Sequence, residues 1–293
     1  MKGYAALIVI TLLVVGIAGC VGNGSSGTTT PMKTSPTATS MTATKTSTGP
    51  VASPTSIETT TQPKGKKEVS RSDLLENLNS VWSFTYVSNG TLKMTVSIST
   101  NGTSQTDNVT LRIIERGYVD LRDKRAWINS TAIGSPDGAQ TNTSRIIIGE
   151  TTYVRGLTGW IKINDTNLAA VVWNYNIVDL ARKYLGEKPE STETNGSLVI
   201  MEYSVPYYDL TDLAREYFSI SPKTKVEVSN GRLEFYFRNG EIAGGKLSFD
   251  VETSVQISDP LLGNATITQS GHWEQVITVT GINVKEEVKA PTT

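Results

Sequence analysis

Strict alternation of apolar and polar residues is the feature that most limits how this chain can fold. The period of two is clean over residues 92–98, 233–237 and 247–251, where Leu, Met, Val, Ile and Phe alternate with more polar residues. Because successive side chains of a strand point to opposite faces, this pattern is typical of antiparallel strands with one face on a core and the other in water. We therefore expect a mainly β domain.

Four Asn-Gly pairs lie between strand-like runs and predict tight hairpin turns, since both residues tolerate the positive φ that a two-residue hairpin loop requires. They occupy positions 89–90, 101–102, 230–231 and 239–240. Consecutive hairpins are expected over 82–163 and again over 224–284, which is a meander. No alternation of strands with helices supports a parallel sheet.

Three segments show helical periodicity with apolar residues on one side only. The first begins at Ser70, where Ser70 and Asp73 have the spacing of a capping box. The second runs from about 167 to 185, and the third follows Pro206. Because a helix of this kind must bury its apolar side, all three are expected to lie across the sheet.

Residues 1–19 have the features of a lipoprotein signal peptide. The run from Tyr4 to Ala18 is mostly apolar and, at 15 residues, shorter than a bilayer span. It leads into Ile17-Ala18-Gly19-Cys20, which resembles the lipobox of exported lipoproteins. That resemblance implies cleavage before Cys20 and a diacylglyceryl group on its thiol, which would anchor the protein at the outer face of the cytoplasmic membrane or at the cell surface. The alternative is an anchor helix with an incidental cysteine.

Residues 20–65 are predicted to form a disordered tether. Of the 43 residues from 21 to 63, 26 are Ser, Thr or Pro. Such a segment cannot bury enough apolar surface to offset the entropy lost on ordering, and its composition is also that of an O-glycosylated stalk. The remaining residues, 66–293, have an ordinary globular composition and are predicted to form one domain.

Candidate N-glycosylation sites are dense in the predicted domain. Eight Asn residues are followed two places later by Ser or Thr with no intervening Pro: Asn89, Asn101, Asn108, Asn129, Asn142, Asn164, Asn195 and Asn264. A lipobox together with many such sites resembles archaeal surface lipoproteins more than bacterial ones.

Composition narrows the chemistry that the chain could perform. His272 and Cys20 are its only histidine and cysteine, so a His/Cys zinc site cannot be built and any His-dependent catalysis would need His272. The 27 basic and 28 acidic residues leave no basic footprint for nucleic acid. We expect no enzyme activity, no cofactor and no metal. Carboxylates that could serve a glycosidase are interpreted as a solvated face: Glu115, Asp120, Asp123 and Glu150.

The order of these elements resembles the LolA/LppX-type lipoprotein-carrier superfamily. A helix precedes a run of hairpins that ends in Thr152-Tyr153-Val154 and Gly159-Trp160-Ile161-Lys162-Ile163, and the last strand leads into a segment from Ile282 to Pro291. The resemblance covers most of 68–291. It implies an α+β, mainly β fold: an open antiparallel half-barrel, a meander of about 11 strands, covered by two or three amphipathic helices over an apolar cavity.

Function then depends on whether the sheet and helices enclose space or pack solidly. A pocket for an acyl chain or similar apolar ligand would make the protein a lipid-binding or lipid-carrying module, and a packed core would make it a structural or interaction lipoprotein with an unknown protein partner. A cavity below about 300 Å³ would rule out the carrier hypothesis. The aromatic, Met and aliphatic candidates for lining such a pocket are Met94, Trp173, Ile177, Leu180, Tyr184, Leu213, Tyr217, Phe235 and Phe237.

Overall fold

The computed structural model describes residues 70–100, 103–163, 166–221, 224–259 and 263–292. The predicted signal peptide (1–19), the lipidation candidate Cys20 and the predicted tether (20–65) lie outside the described residues, as do the glycosylation candidates Asn101 and Asn164.

The described residues form a single eleven-stranded antiparallel sheet. Its strands are β1 (Ser83–Thr100), β2 (Thr103–Asp120), β3 (Arg125–Ser135), β4 (Gln140–Ile148), β5 (Thr151–Arg155), β6 (Trp160–Ile163), β7 (Ser191–Asn195), β8 (Leu198–Ser204), β9 (Val226–Arg238), β10 (Glu241–Asp259) and β11 (Gly263–Ile282).

The strand order is β6-β5-β4-β3-β2-β1-β11-β10-β9-β8-β7. Two meanders, β1 to β6 and β7 to β11, are therefore joined where the first strand pairs with the last. The register of that join runs from Phe84 opposite Ile282 to Thr100 opposite Ala265. Because β6 and β7 are the two edges, the chain must cross the sheet between them, and it does so as helices on the concave face.

Four short α-helices lie in the described part of the chain: α1 (Arg71–Asn79), α2 (Thr166–Asn174), α3 (Ile177–Tyr184) and α4 (Thr211–Tyr217). A 3-10 turn, Tyr207–Asp209, precedes α4. The capping box at Ser70 and Asp73 is present as predicted. The predicted helix over 167–185 is two helices, because the Asn176 side chain accepts a hydrogen bond from the Asp179 amide and starts a new helix there. An open antiparallel half-barrel with a helical cover is thus the fold, with four helices instead of two or three.

The inner face of the sheet is filled unevenly. Across β8 to β10 it carries large side chains that pack against α3 and one another. Tyr203 lies in edge-on contact with both Tyr184 and Phe235, with ring centroids 5.8 and 5.7 Å apart. Phe237 and Phe249 are also fully buried. This half of the concavity is a solid core.

One of the four Asn-Gly pairs makes the predicted hairpin turn in the part of the chain that the structure describes: Asn239-Gly240 connects β9 to β10 with φ values of 53° and 86°. Residues 101–102 lie outside the described residues. The prediction was wrong for 89–90 and 230–231, which lie inside β1 and β9. Asn230 takes a positive φ at a β-bulge, where the register with β10 shifts.

Gly90 is required by packing and not by a turn. A Cβ atom at Gly90 would lie 2.8 Å from Cζ2 of Trp273, whose ring crosses β1 at this point and is fully buried. The glycine therefore makes space for the largest side chain in the core.

The C-terminal segment packs on the outer face of the sheet. The Asn283 amide donates to the Ser83 carbonyl (2.8 Å), and Arg125 Nη1 donates to the Val288 carbonyl (2.6 Å). Trp127 Nε1 donates to Glu286 Oε2 at 2.6 Å. These bonds fix the segment after β11 against β1 and β3. None of the helices that the structure describes is both long and apolar enough to cross a membrane.

Replacing Gly90 by Ala is expected to destabilise the domain by about 1–3 kcal/mol, because the added methyl group must displace the Trp273 ring in a packed core. Gly134→Ala is the matched control: Gly134 is also on the inner face of a strand, and its Cβ would meet nothing closer than 3.5 Å. Urea unfolding of residues 66–293 measures the free energy of unfolding of both variants. Equal unfolding free energies for the two variants would contradict this account of Gly90.

Candidate functional site

A cavity of about 1010 Å³ lies on the concave face of β1 to β5, beneath α2 and α4. Its volume is at the upper end of the range for pockets that hold small molecules, roughly 300–1,000 Å³. The half of the sheet that lines it is the half opposite the solid core. The sheet and its helices therefore enclose unfilled space, well above the volume below which the carrier hypothesis would fail.

The walls of the cavity are mainly apolar. From the sheet they include Ile113, Ile128 and Val154, and from the helical side Leu168, Val171, Val172 and Leu213. The void exists because the inner face of β3 carries small residues, whereas the inner face of β9 carries phenylalanines. Those small residues are Ser130, Ala132 and Gly134.

The mouth of the cavity lies at the end of the sheet that carries the β3–β4 and β5–β6 turns. Polar residues of the rim include Asp107, Asn108, Asp137 and Asn142. Leu157, in the β5–β6 turn, also lines the rim and is fully exposed to solvent. The opening thus combines these polar groups with a large, exposed apolar side chain on its edge.

A charged cluster interrupts the apolar lining in the deeper part of the cavity. Arg145 of β4 places Nη2 3.0 Å from Glu115 Oε1 of β2, and Nη1 3.8 Å from Glu216 Oε1 of α4. Arg145 and Glu115 are only 9% and 7% exposed. The Nε atom of Arg145 is buried without a hydrogen-bond partner. Isolated charges are costly to bury, so mutual pairing is what keeps these side chains here.

Hydrogen-bonding side chains extend this cluster across the sheet. Tyr217 of α4 donates to Gln275 Oε1 (3.3 Å), and Gln275 Nε2 donates to Ser88 Oγ (3.0 Å). The Tyr217 ring stacks on Trp273 with centroids 3.9 Å apart. Tyr86 lies over Gly117, where a Cβ would be 2.5 Å from its Cε1 atom. We name the six cavity-lining members the polar belt: Tyr86, Glu115, Arg145, Glu216, Tyr217 and Gln275.

Protonation within the polar belt follows from burial and from these neighbours. Burial, then the charge of Glu115, holds the pKa of the Tyr86 phenol well above its usual value, and the same two causes raise the pKa of Tyr217. Burial would lower the pKa of Arg145, but Glu115 and Glu216 outweigh it and raise the pKa overall. Both phenols are therefore neutral and the guanidinium is charged at physiological pH.

The helices over the cavity are held by side-chain hydrogen bonds. Trp173 Nε1 of α2 donates to the Gly149 carbonyl at 2.7 Å, and the Tyr175 hydroxyl donates to Asp212 of α4 at 3.0 Å. Burial and this bond to Asp212 raise the pKa of Tyr175 to about 12. These two bonds connect α2 and its C-terminal turn to the β4–β5 turn and to α4.

Three of the nine predicted lining residues are at the cavity: Ile177, Leu213 and Tyr217. The structure places the other six outside its lining, buried in the hydrophobic core: Met94, Trp173, Leu180, Tyr184, Phe235 and Phe237. The reason is that large side chains fill the space around themselves, so the cavity opens where the inner face carries small residues.

The polar belt was missed by the sequence analysis. The interpretation of Glu115 as part of a solvated face was wrong, because it is an inner-face residue between Ile113 and Gly117 on β2. Asp120 is also buried, where it accepts bonds from the Arg122 and Asp123 amides in the β2–β3 turn. A charged residue at an inner-face position of an alternating strand was the available signal.

His272 lies on the outer face of the sheet, away from the cavity. Its Nδ1 atom is 2.6 Å from Asp250 Oδ1, and Asn230 Nδ2 donates to the other carboxylate oxygen of Asp250 at 2.7 Å. No group of three or more His, Cys, Asp or Glu side chains in the described residues is arranged to hold a metal ion.

The six glycosylation candidates within the described residues are all exposed: Asn89, Asn108, Asn129, Asn142, Asn195 and Asn264. Asn108 and Asn142 also line the mouth of the cavity. Their side chains lie on the outer face of the sheet, where they accept hydrogen bonds from Thr95 and Thr131, so a glycan on either residue would extend away from the cavity.

No family model matches the chain, and no curated protein matches it. Among solved structures, LprF from Mycobacterium bovis has a TM-score of 0.38 and 6% identity, over 76% of this chain and 95% of that one. A putative outer membrane lipoprotein-sorting protein domain from Vibrio parahaemolyticus has a TM-score of 0.22 and 10% identity, over 74% of this chain and 92% of that one. A DUF1329 family protein from Desulfovibrio piger has a TM-score of 0.18 and 9% identity, over 73% of this chain and 93% of that one. At these values, function must be inferred from this chain's own cavity.

Stability is expected to fall as the pH rises above about 10. Unfolded tyrosines ionise there while Tyr86 and Tyr217 keep their protons in the folded state, so the folded state binds more protons and loses stability with rising pH. Each group contributes a slope of up to about 1.4 kcal/mol per pH unit. Urea unfolding between pH 9 and 11.5 should show a shallower slope for Tyr217→Phe. The exposed Tyr207→Phe is the control, and an unchanged slope for Tyr217→Phe would contradict the prediction.

Proposed function

We propose that this protein is an extracytoplasmic, membrane-anchored lipoprotein that holds a lipid or similar apolar molecule in the cavity between its sheet and its helices. The observation that carries this proposal is the cavity itself: about 1010 Å³, apolar along most of its walls and open at one end. Protein interiors are ordinarily packed with few voids larger than a water molecule, so space on this scale favours an occupant.

Binding would be passive burial of apolar surface. Each Å² of apolar ligand surface removed from water contributes about 25 cal/mol, so the walls supply affinity without any covalent step. The ligand enters through the mouth beside Leu157. Wider access requires α2 to move away from the sheet, which breaks the bonds of Trp173 to Gly149 and of Tyr175 to Asp212.

Anchoring belongs to the same proposal. A diacylglyceryl group on Cys20 would hold the domain at the outer face of the cytoplasmic membrane or at the cell surface, and residues 20–65 would let it stand away from the bilayer. Surface glycans of the archaeal type, at the exposed Asn residues described above, fit this location. The proposed ligand is non-covalent, and the proposed activity is carriage and not catalysis.

Filling the cavity tests the proposal directly. Ala132→Trp adds an indole ring on the inner face of β3, where it should occupy the cavity and abolish binding of the neutral fluorophore N-phenyl-1-naphthylamine. Thr131→Trp, one residue earlier and on the outer face, is the matched control and should bind like the wild type. Binding is followed by fluorescence, and native mass spectrometry of each variant reports co-purified lipid.

Absence of both fluorophore binding and co-purified lipid in the wild type would refute carriage. It would favour the alternative of a structural or interaction lipoprotein, for which the solid core between β8–β10 and α3 is sufficient.

Replacement of Cys20 tests the anchor. Cys20→Ser should move the full-length protein from the membrane to the soluble fraction when it is expressed in cells that process lipoproteins, since the serine hydroxyl is not the thiol that receives the lipid. Ser26→Ala is the control and should stay in the membrane fraction. Detergent phase partitioning measures both, and membrane retention of Cys20→Ser would contradict lipidation at this residue.

A further inference from the structure

We infer that the polar belt binds an uncharged hydrogen-bonding group of the ligand, a hydroxyl or a carbonyl, and disfavours a carboxylate or phosphate at that depth. This inference rests on the proposed function and specifies its ligand class. The cavity would then take a molecule whose apolar parts are separated by, or end at, a neutral polar group.

The position of the belt defines where that group lies. Leu111 and Ile113 of β2 line the cavity towards the mouth, Glu115 follows them on the same face, and Val119 lies beyond it. A ligand that fills the cavity therefore meets apolar wall, then the belt, then apolar wall again. Between the polar mouth and the belt, or beyond the belt, a polar group would be desolvated against hydrocarbon without a partner, which is costly.

The charge balance of the belt disfavours an anion. Both terminal nitrogens of its one guanidinium are already paired with carboxylates, Nη2 with Glu115 Oε1 at 3.0 Å and Nη1 with Glu216 Oε1 at 3.8 Å, and only the buried Nε has no partner among the described residues. A ligand carboxylate would have to compete with those carboxylates in a region of low dielectric constant, where like charges repel strongly. Among the described residues that line the whole cavity there are four carboxylates and two guanidiniums: Asp107, Glu115, Asp137, Glu216, Arg145 and Arg155.

The belt also offers a neutral partner. The Tyr86 side chain lines the cavity, and its hydroxyl makes no hydrogen bond to any residue that the structure describes. A phenol can donate one hydrogen bond and accept another, which suits a ligand hydroxyl or carbonyl. The group that occupies this position would satisfy a hydroxyl that is otherwise left without a partner.

A matched pair of fluorescent ligands tests the inference on residues 66–293: cis-parinaric acid and its methyl ester, which share one polyene chain and differ in charge. At pH 7.5 the wild type should bind the ester about tenfold more tightly or better. Glu115→Gln removes one carboxylate with little change in volume and leaves the guanidinium more available, so the acid should bind more tightly and the preference should shrink to about threefold or less. Tyr86→Phe should weaken binding of the ester by about three- to tenfold and leave the affinity for the acid nearly unchanged.

Glu150→Gln is the control, because Glu150 is exposed in the β4–β5 turn away from the cavity lining, and its ester preference should equal that of the wild type. Equal or tighter binding of the acid by the wild type would overturn this inference alone. An ester preference that persists unchanged in Glu115→Gln would also overturn it, since simple desolvation of the acid would then explain the difference. If the wild type binds neither ligand, the proposed function fails as well. If Glu115→Gln does not fold, the inference is still tested by the relative affinities of the wild type for the acid and the ester, and by the loss of ester affinity in Tyr86→Phe.

Discussion

The pairing of β1 with β11 is the interaction on which the rest of the structure depends. It joins the first strand of the domain to the last and makes one continuous sheet from two meanders. Because the join lies mid-sheet, the two edges are β6 and β7, which are consecutive in the chain. The connection between them must therefore cross the concave face, and it does so as α2 and α3. The helical cover follows from the sheet topology.

Side-chain volume then decides which half of the concavity is solid. Phe235 and Phe237 on β9 and Phe249 on β10 fill one half, and Ser130 and Ala132 on β3 leave the other open. The polar belt lies along this second half, where the pairing of Arg145 with Glu115 keeps two charges buried beside apolar wall. A cavity with apolar wall on both sides of the polar belt is the arrangement that the proposed ligand class would occupy.

Much of the fold could be predicted because it depends on local patterns. Alternation placed the strands, and the Ser70 capping box and the Asn239-Gly240 turn were correctly assigned, since each is decided by a few neighbouring residues. Asn89-Gly90 was assigned wrongly as a turn. Its glycine is needed because a side chain there would clash with the ring of Trp273, a residue far away in the chain. The cavity lining was harder to predict for the same reason. Large apolar residues such as Phe237 attract attention in a sequence, yet empty space forms beside the small ones.

The amino-acid sequence by itself determined the β-rich class, the antiparallel meanders and the one-sided helices, because side-chain periodicity and turn chemistry act over short distances. It also carries the lipobox-like segment around Cys20 that predicts export. Tertiary structure alone decided that β1 meets β11, that Glu115 and Arg145 face each other from different strands, and that a cavity stands on one side of the sheet. These are properties of residues distant in the chain, and whether their volumes and charges match is settled only when packing brings them together.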